Sequence, residues 1–291
     1  MDFSRASMQS LWMLAASALF ACMAVCVKLG ASLFSAAELV FYRGFVALVL
    51  LGGYVLARRL PLSTPHWRAH LWRGLAGFVS LVMYFYAISE LPLATAVTLN
   101  YTSPLFLAVI LVLWSGERVR PLLFLALALG LAGVALLLRP NFASEQWSGA
   151  LAALASGAGA GIAFYNVRQL GQLGEPEWRV VFHFSLMSTL GGLPWALASD
   201  PFHAIGGTGL LLVLGVGGFG TLAQLALTRA YKHGKTLVSA SLAYSTVVFS
   251  SLFGVLLWHE VLPWSSWLAI ALIVASGLLA TMQSRAPAGQ D

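Results

Sequence analysis

Thr95, Thr98, Tyr101 and Thr102 fall three and four residues apart in an otherwise apolar stretch, which puts them on one face of a helix. Asn100 stands among them, and Ser241, Tyr244 and Ser245 repeat the pattern 143 residues later. Hydroxyls, an amide and aromatic rings at such spacing suit non-covalent capture of a small molecule by hydrogen bonds and stacking. Three other apolar stretches carry polar side chains. One holds Thr221, Gln224, Thr228 and Tyr231, one holds Tyr165, Asn166 and Arg168, and one holds Tyr84 and Tyr86. The candidate substrate-binding residues are Tyr84, Asn100, Tyr101, Tyr165, Gln224 and Tyr244. A single Ser or Thr in such a stretch can bond back to its own helix carbonyl, so the longer side chains carry more weight.

Two ionisable residues lie deeper in apolar stretches. Arg43 could bind a carboxylate or phosphate, or make a structural contact with a carbonyl, Glu38 or Glu90. His183 could relay a proton or serve as a neutral hydrogen-bonding residue. Glu117 and Glu260 close their stretches and are read as helix-junction residues that complement the dipole of the following helix. Other chemistry lacks its residues. There is no Gly-rich phosphate loop with Lys, no His/Cys/Asp cluster at metal-ligand spacing and no convergent nucleophile and base. No catalytic residue, cofactor or metal is therefore expected. No carboxylate falls in the middle of an apolar stretch, which disfavours exchange of cationic drugs for protons. Cys22 and Cys26, one helical turn apart, are read as packing residues.

The elements that must position these side chains follow from composition. Of 291 residues, 59% are hydrophobic and 9% are charged, too few to cover a water-exposed surface. Ten segments are long enough to cross a bilayer: 11–29, 36–57, 71–89, 93–114, 121–138, 148–168, 179–198, 209–231, 236–258 and 264–282. The fold class is an all-α integral membrane protein of ten transmembrane helices. With ten spans, 13 of the 16 Lys and Arg fall on the side of both termini, and only Lys28 and Arg139 on the other. That bias predicts cytoplasmic termini. It also accounts for the net charge of +6 without nucleic acid. An odd number of spans per half inverts the second half, giving two five-helix repeats, residues 1–143 and 144–291. Under the offset of 143, Tyr101 falls on Tyr244, Thr98 on Ser241 and Glu117 on Glu260, while Val247 stands where the first copy has Pro104. A kink made by that proline is therefore absent from span nine or made differently. Gly157 and Gly161, four apart in span six, are read as helix-packing residues.

The phrases AISELPLATAVTLNYTSPLFLAVILVLWSGE with GLAGVALLL, and ALTRAYKHGKTLVSASLAYSTVVFSSLFGVLLWHE with ASGLLA, resemble the drug/metabolite transporter superfamily in its ten-helix EamA type. VFYRG in span two also fits. The resemblance implies a bacterial inner-membrane carrier with a central cavity lined mainly by spans one, three, four, six, eight and nine. It implies a small amphiphilic, often amino-acid-like metabolite moved by alternating access, with export the expected direction. The expected partners are that metabolite and the lipid bilayer, with a homodimer left open. Uptake of a vitamin or cofactor such as riboflavin is the alternative, and an intramembrane enzyme or a scaffold are rivals. An amino acid, a nucleoside-like cofactor and a metal-chelating metabolite all stay open as substrates.

Overall fold

The computed structural model describes residues 8–140, 146–199, 202–259 and 261–283. The described residues form α-helices joined by short connections. These are α1 (Trp12–Gly30), α2 (Ala36–Arg58), α3 (Trp67–Glu90), α4 (Leu93–Asn100), α5 (Ser103–Ser115) and α6 (Pro121–Leu138), then α7 (Trp147–Gln172), α8 (Glu177–Ser199), α9 (Gly207–His233), α10 (Thr236–Ala243), α11 (Ser245–Trp258) and α12 (Trp264–Gln283). Helices α4 and α5 make one interrupted span, and α10 and α11 another, so ten helical segments are long and apolar enough to cross a membrane. Their bounds agree with the spans read from sequence to within a turn or so.

Local chemistry sets the ends. Ser35 and Glu38 form a reciprocal capping box that starts α2. Glu38 is fully buried and also accepts from the backbone N–H and ring of His203, so it ties the start of span two to the entry of span eight. Pro121 opens α6, where its missing N–H costs nothing. Span four ends on Gly116 and span nine on His259, both left-handed at φ 64° and 53°. These two positions are 143 apart, so the same cap closes both repeats, once with the residue that favours it and once without.

Both interruptions also correspond. In span four, Thr102 N–H bonds to the Leu99 carbonyl at 3.2 Å and Leu105 N–H to the Thr102 carbonyl at 2.9 Å. In span nine, Tyr244 N–H bonds to the Ser241 carbonyl at 3.3 Å and Val247 N–H to the Tyr244 carbonyl at 3.1 Å. Each break is a tightened turn of i→i−3 bonds. Pro104 sits in the first turn of α5, where proline is tolerated, so the break in span nine forms without it.

Packing has the exchange symmetry an inverted repeat requires. Span one packs on span eight and span three on span six; span four packs on span six and span nine on span one; spans two and seven, and five and ten, pair with each other. The ends agree on sidedness. Lys28 lies 3.9 Å over the Trp258 ring and Arg139 bonds Ser265 on one side. Arg120 reaches the Gln283 carbonyl at 3.4 Å on the other, called the terminal side because Met8 and Gln283 lie there.

Gly157 and Gly161 seat α7 on the break in span four. A Cβ at 157 would stand 2.5 Å from Thr102 Oγ1 and 3.0 Å from the Leu99 carbonyl. A Cβ at 161 would stand 3.1 Å from the Ser103 carbonyl. Gly157→Ala is expected to cost about 1–3 kcal/mol by overpacking against backbone that cannot step aside. Thermal unfolding in detergent checks this, and an unchanged midpoint would contradict it.

Candidate functional site

The breaks bring two of the candidate residues together. The rings of Tyr101 and Tyr244 lie 6.1 Å apart, tilted by 39°. Tyr244 is fully buried, and its hydroxyl has no hydrogen-bond partner. The Thr246 side chain lies beside the Tyr101 hydroxyl. Tyr84 of α3 is within electrostatic reach of Tyr101. Tyr231 of α9, stacked on Phe164 at 5.3 Å, is the neighbour of Tyr244 on the next span and also buries an unpartnered hydroxyl. These aromatic rings, with the unpartnered hydroxyls of Tyr231 and Tyr244, can meet a ligand with an apolar body and a polar group.

The flanking residues do structural work. Asn100 Nδ2 donates to Ser156 Oγ at 2.6 Å, and Ser80 Oγ donates to the Ser156 carbonyl at 2.8 Å, so spans three, four and six are tied together at the break. Ser241 and Ser276 share a bond of 2.7 Å, and Ser276 donates to the Ala126 carbonyl at 2.7 Å, which anchors the second break to spans ten and five.

Tyr165 and Gln224 lie elsewhere. Tyr165 bonds Ser115 at 3.0 Å and accepts from Gln169 at 2.8 Å, with Trp114 edge-on at 5.8 Å. It sits eight residues, about 12 Å of helix rise, from the Gly157 contact, toward the terminal side. Gln224 lines a narrow internal cleft with Arg43, Phe184, Ser185, Ser188 and Thr221. Arg43 touches neither Glu38 nor Glu90: among the described residues it makes no hydrogen bond or ion pair. Nδ1 of His183 lies 2.9 Å from the Arg179 carbonyl, and its ring packs on His70 at 4.4 Å. Cys22 and Cys26 are free thiols.

Two features face the terminal side. An open cleft of about 450 Å³ is lined by Arg118, Arg120, Arg168, Lys232 and Lys235, with Glu117 as its carboxylate. Burial and the charge of Arg120 lower the Lys235 pKa. Glu117 pairs with Arg168 at 2.5 Å, and α6 starts without any side-chain cap. The dipole-complementing role expected of Glu117 is thus replaced by an ion pair across two spans. Glu260 lies outside the described residues. The second feature is Glu175, only 3% exposed, in the connection between α7 and α8. It accepts from Thr64 Oγ1, bonds His66 Nδ1 at 3.0 Å and pairs with Arg179 at 2.9 Å and His70 at 3.3 Å. Burial would raise its pKa, but these hydrogen bonds win and hold it at about 2.

The EamA-like transporter family profile matches residues 7–139 and again 147–282, covering nearly all of the chain in two successive copies. The chain belongs to the EamA-like transporter family. A relative in that superfamily, the pseudopaline exporter CntI of Pseudomonas aeruginosa strain UCBPP-PA14, is 33% identical over 268 residues, covering 91% of this chain and 90% of its own. The riboflavin transporter of Vibrio cholerae serotype O1 is 27% identical over 282 residues, covering 92% and 90%. One solved crystal structure superimposes with a TM-score of 0.85 at 24% identity, over 97% of this chain and 100% of the other, and so shares the fold.

Within this EamA-like fold, sequence reasoning missed three residues. Arg73 counts as a topology charge when span three begins at 71; the helix starts at Trp67, so Arg73 is in its second turn and buried. The spacing His70, Arg73, Gly77 marks one helix face and could have raised it. Ser188 and Glu175 carried no signal, because their importance lies in neighbours from other spans.

Proposed function

We propose that this chain is a secondary carrier that moves a small amphiphilic metabolite out of the bacterial cell across the inner membrane, by alternating access between its two repeats. The observation that carries the reading is the pair of interrupted spans whose equivalent tyrosines meet at 6.1 Å. Interrupted helices at a repeat interface are where such carriers bind their cargo. Tyr84, Tyr101 and Tyr244 are its binding face, and Asn100 positions Tyr101 through Ser156. The halves divide at residues 143 and 144. Both termini lie in the cytoplasm, a placement supported by the basic residues on the terminal side.

Export draws support from the exporter among the relatives. An S-adenosylmethionine uptake transporter among them makes uptake the second reading. Metabolite profiling of cells and medium, with and without the protein, separates the two. Export predicts a small metabolite enriched in the medium of cells that carry it and retained by cells that lack it. The reverse distribution would establish uptake, and an unchanged profile across growth conditions would remove the carrier reading.

A further inference from the structure

Arg73 is a buried cation and Arg43 a half-buried one on the neighbouring span, and among the described residues neither pairs with an acid. Arg73 is 3% exposed, and its Nε and Nη1 are buried with no hydrogen-bond partner. Its guanidinium lies 4.2 Å over the Phe184 ring, and Phe184 lines the same cleft as Arg43. Arg73 lies within reach of the Arg43 charge. Both side chains pass over a glycine. A Cβ at Gly77 would stand 2.4 Å from Arg73 Nη1, and a Cβ at Gly220 would stand 3.5 Å from Arg43 Nε. Ser188 adds a buried hydroxyl without a partner to the same cleft.

The energetics call for a counter-charge. A cation at bilayer depth is costly, and a like charge beside it adds to the cost. Cation–π contact with Phe184 offsets only part of this. Among the described residues no carboxylate pairs with either arginine. All ten carboxylates of the sequence lie in connections, in the terminal segments or within three residues of a span end. Neutralisation must come from a bound anion.

We propose that Arg43 and Arg73, with Ser188 and Gln224, form a carboxylate-binding subsite, and that the carried metabolite bears a carboxylate held there. The cleft favours that group. It leaves about 10 Å³ of free space, roughly one water molecule, so a planar head enters with less opening than a tetrahedral phosphate. A guanidinium binds a carboxylate through two parallel hydrogen bonds. The basic cleft on the terminal side raises the local concentration of such anions. The assignment of the carboxylate to a carried molecule rests on the carrier reading above.

The test uses the full chain in lipid nanodiscs. Thermal unfolding is followed with sodium formate, acetate and phenylacetate, and with the matching neutral amides in sodium chloride of equal strength. The carboxylates are expected to raise the midpoint in a saturable way and the amides to leave it unchanged. Arg43→Met and Arg73→Met should each weaken carboxylate affinity at least tenfold, and Arg73→Met without ligand should be no less stable than the natural chain. Where a methionine variant does not fold, the lysine variant is read instead, with affinity down at least threefold because the paired hydrogen bonds are lost. Amides that stabilise equally, or a carboxylate shift that survives both substitutions, would overturn the subsite. The two readings fail separately. An exported metabolite with no acidic group removes the subsite and leaves the carrier, whereas carboxylate binding without any change in metabolite profile keeps the subsite and removes the carrier.

Discussion

Glu175→Ala is expected to destabilise the folded protein by about 3 kcal/mol, because breaking this buried, hydrogen-bonded cluster leaves the Arg179 charge uncompensated and takes the acceptor from the Thr64 hydroxyl and the His66 ring. The carboxylate holds Thr64, His66, His70 and Arg179. Its own backbone carbonyl accepts from Lys232 at 2.9 Å. One residue thus ties together the connection after span two and the terminal-side ends of spans three, seven and eight. The pH dependence gives a second reading of the same number. The folded pKa is about 2, against an ordinary value of 4.5, so the group is depressed on folding. Its contribution is fully present above the unfolded value and is lost as pH falls from about 4.5 toward 2, a difference worth about 3 kcal/mol. Stability of the natural chain should fall across that window, and Glu175→Ala should flatten the fall. Unfolding midpoints of both proteins between pH 5 and 3 check this. Parallel curves would mean that other groups dominate acid unfolding.

The spans and the two-fold arrangement were readable because the bilayer fixes helix length and because polar groups at depth need a reason. Asn100, Tyr101 and Thr102 mark the polar centre of span four and Ser241, Tyr244 and Ser245 that of span nine, where Val247 in place of Pro104 leaves any kink absent or made differently. The break in span nine shows the limit of reading by residue type. Val247 has no helix-breaking character, and the turn forms because Ser241, Ser276 and the neighbouring spans hold the chain there. Partners were the illegible part. A helical face tells which residues look the same way but not what they meet. Asn100 and Tyr165 are substrate-binding candidates by their helix faces, and what the faces do not tell is that one donates to Ser156 and the other bonds Ser115 and Gln169. Gln224 shares its face with Tyr231, yet its cleft is that of Arg43. Arg73 shows the same limit from the other direction. Near a span end a charge reads as a topology signal, and only packing against Phe184 reveals it as buried.

Tyr244 allows its two roles to be separated within one side chain. Its ring is fully buried, pressed against α6 so closely that a Cβ at Gly130 would stand 2.3 Å from it. Tyr244→Ala should therefore destabilise by about 3–5 kcal/mol, the range for removing a buried aromatic ring. The hydroxyl is a different matter, since it has no hydrogen-bond partner in the protein. Tyr244→Phe removes a buried polar atom that nothing satisfies, so stability should hold or rise slightly. If the hydroxyl serves the cargo, transport at sub-saturating substrate should still fall roughly two- to tenfold, the equivalent of about 0.5–1.5 kcal/mol for one hydrogen bond. Tyr101→Phe is the contrasting case: its hydroxyl has the Thr246 side chain beside it, so stability and transport should fall together. The measurements are unfolding midpoints of the purified variants and initial rates in proteoliposomes, with the exported metabolite as substrate. Wild-type rates for Tyr244→Phe would make the pair of tyrosines a packing contact between the breaks and move the cargo's polar contacts to the Arg43 cleft. A Phe variant that loses stability as well would mean that the hydroxyl holds an internal water or main-chain group, and that its effect on transport is indirect.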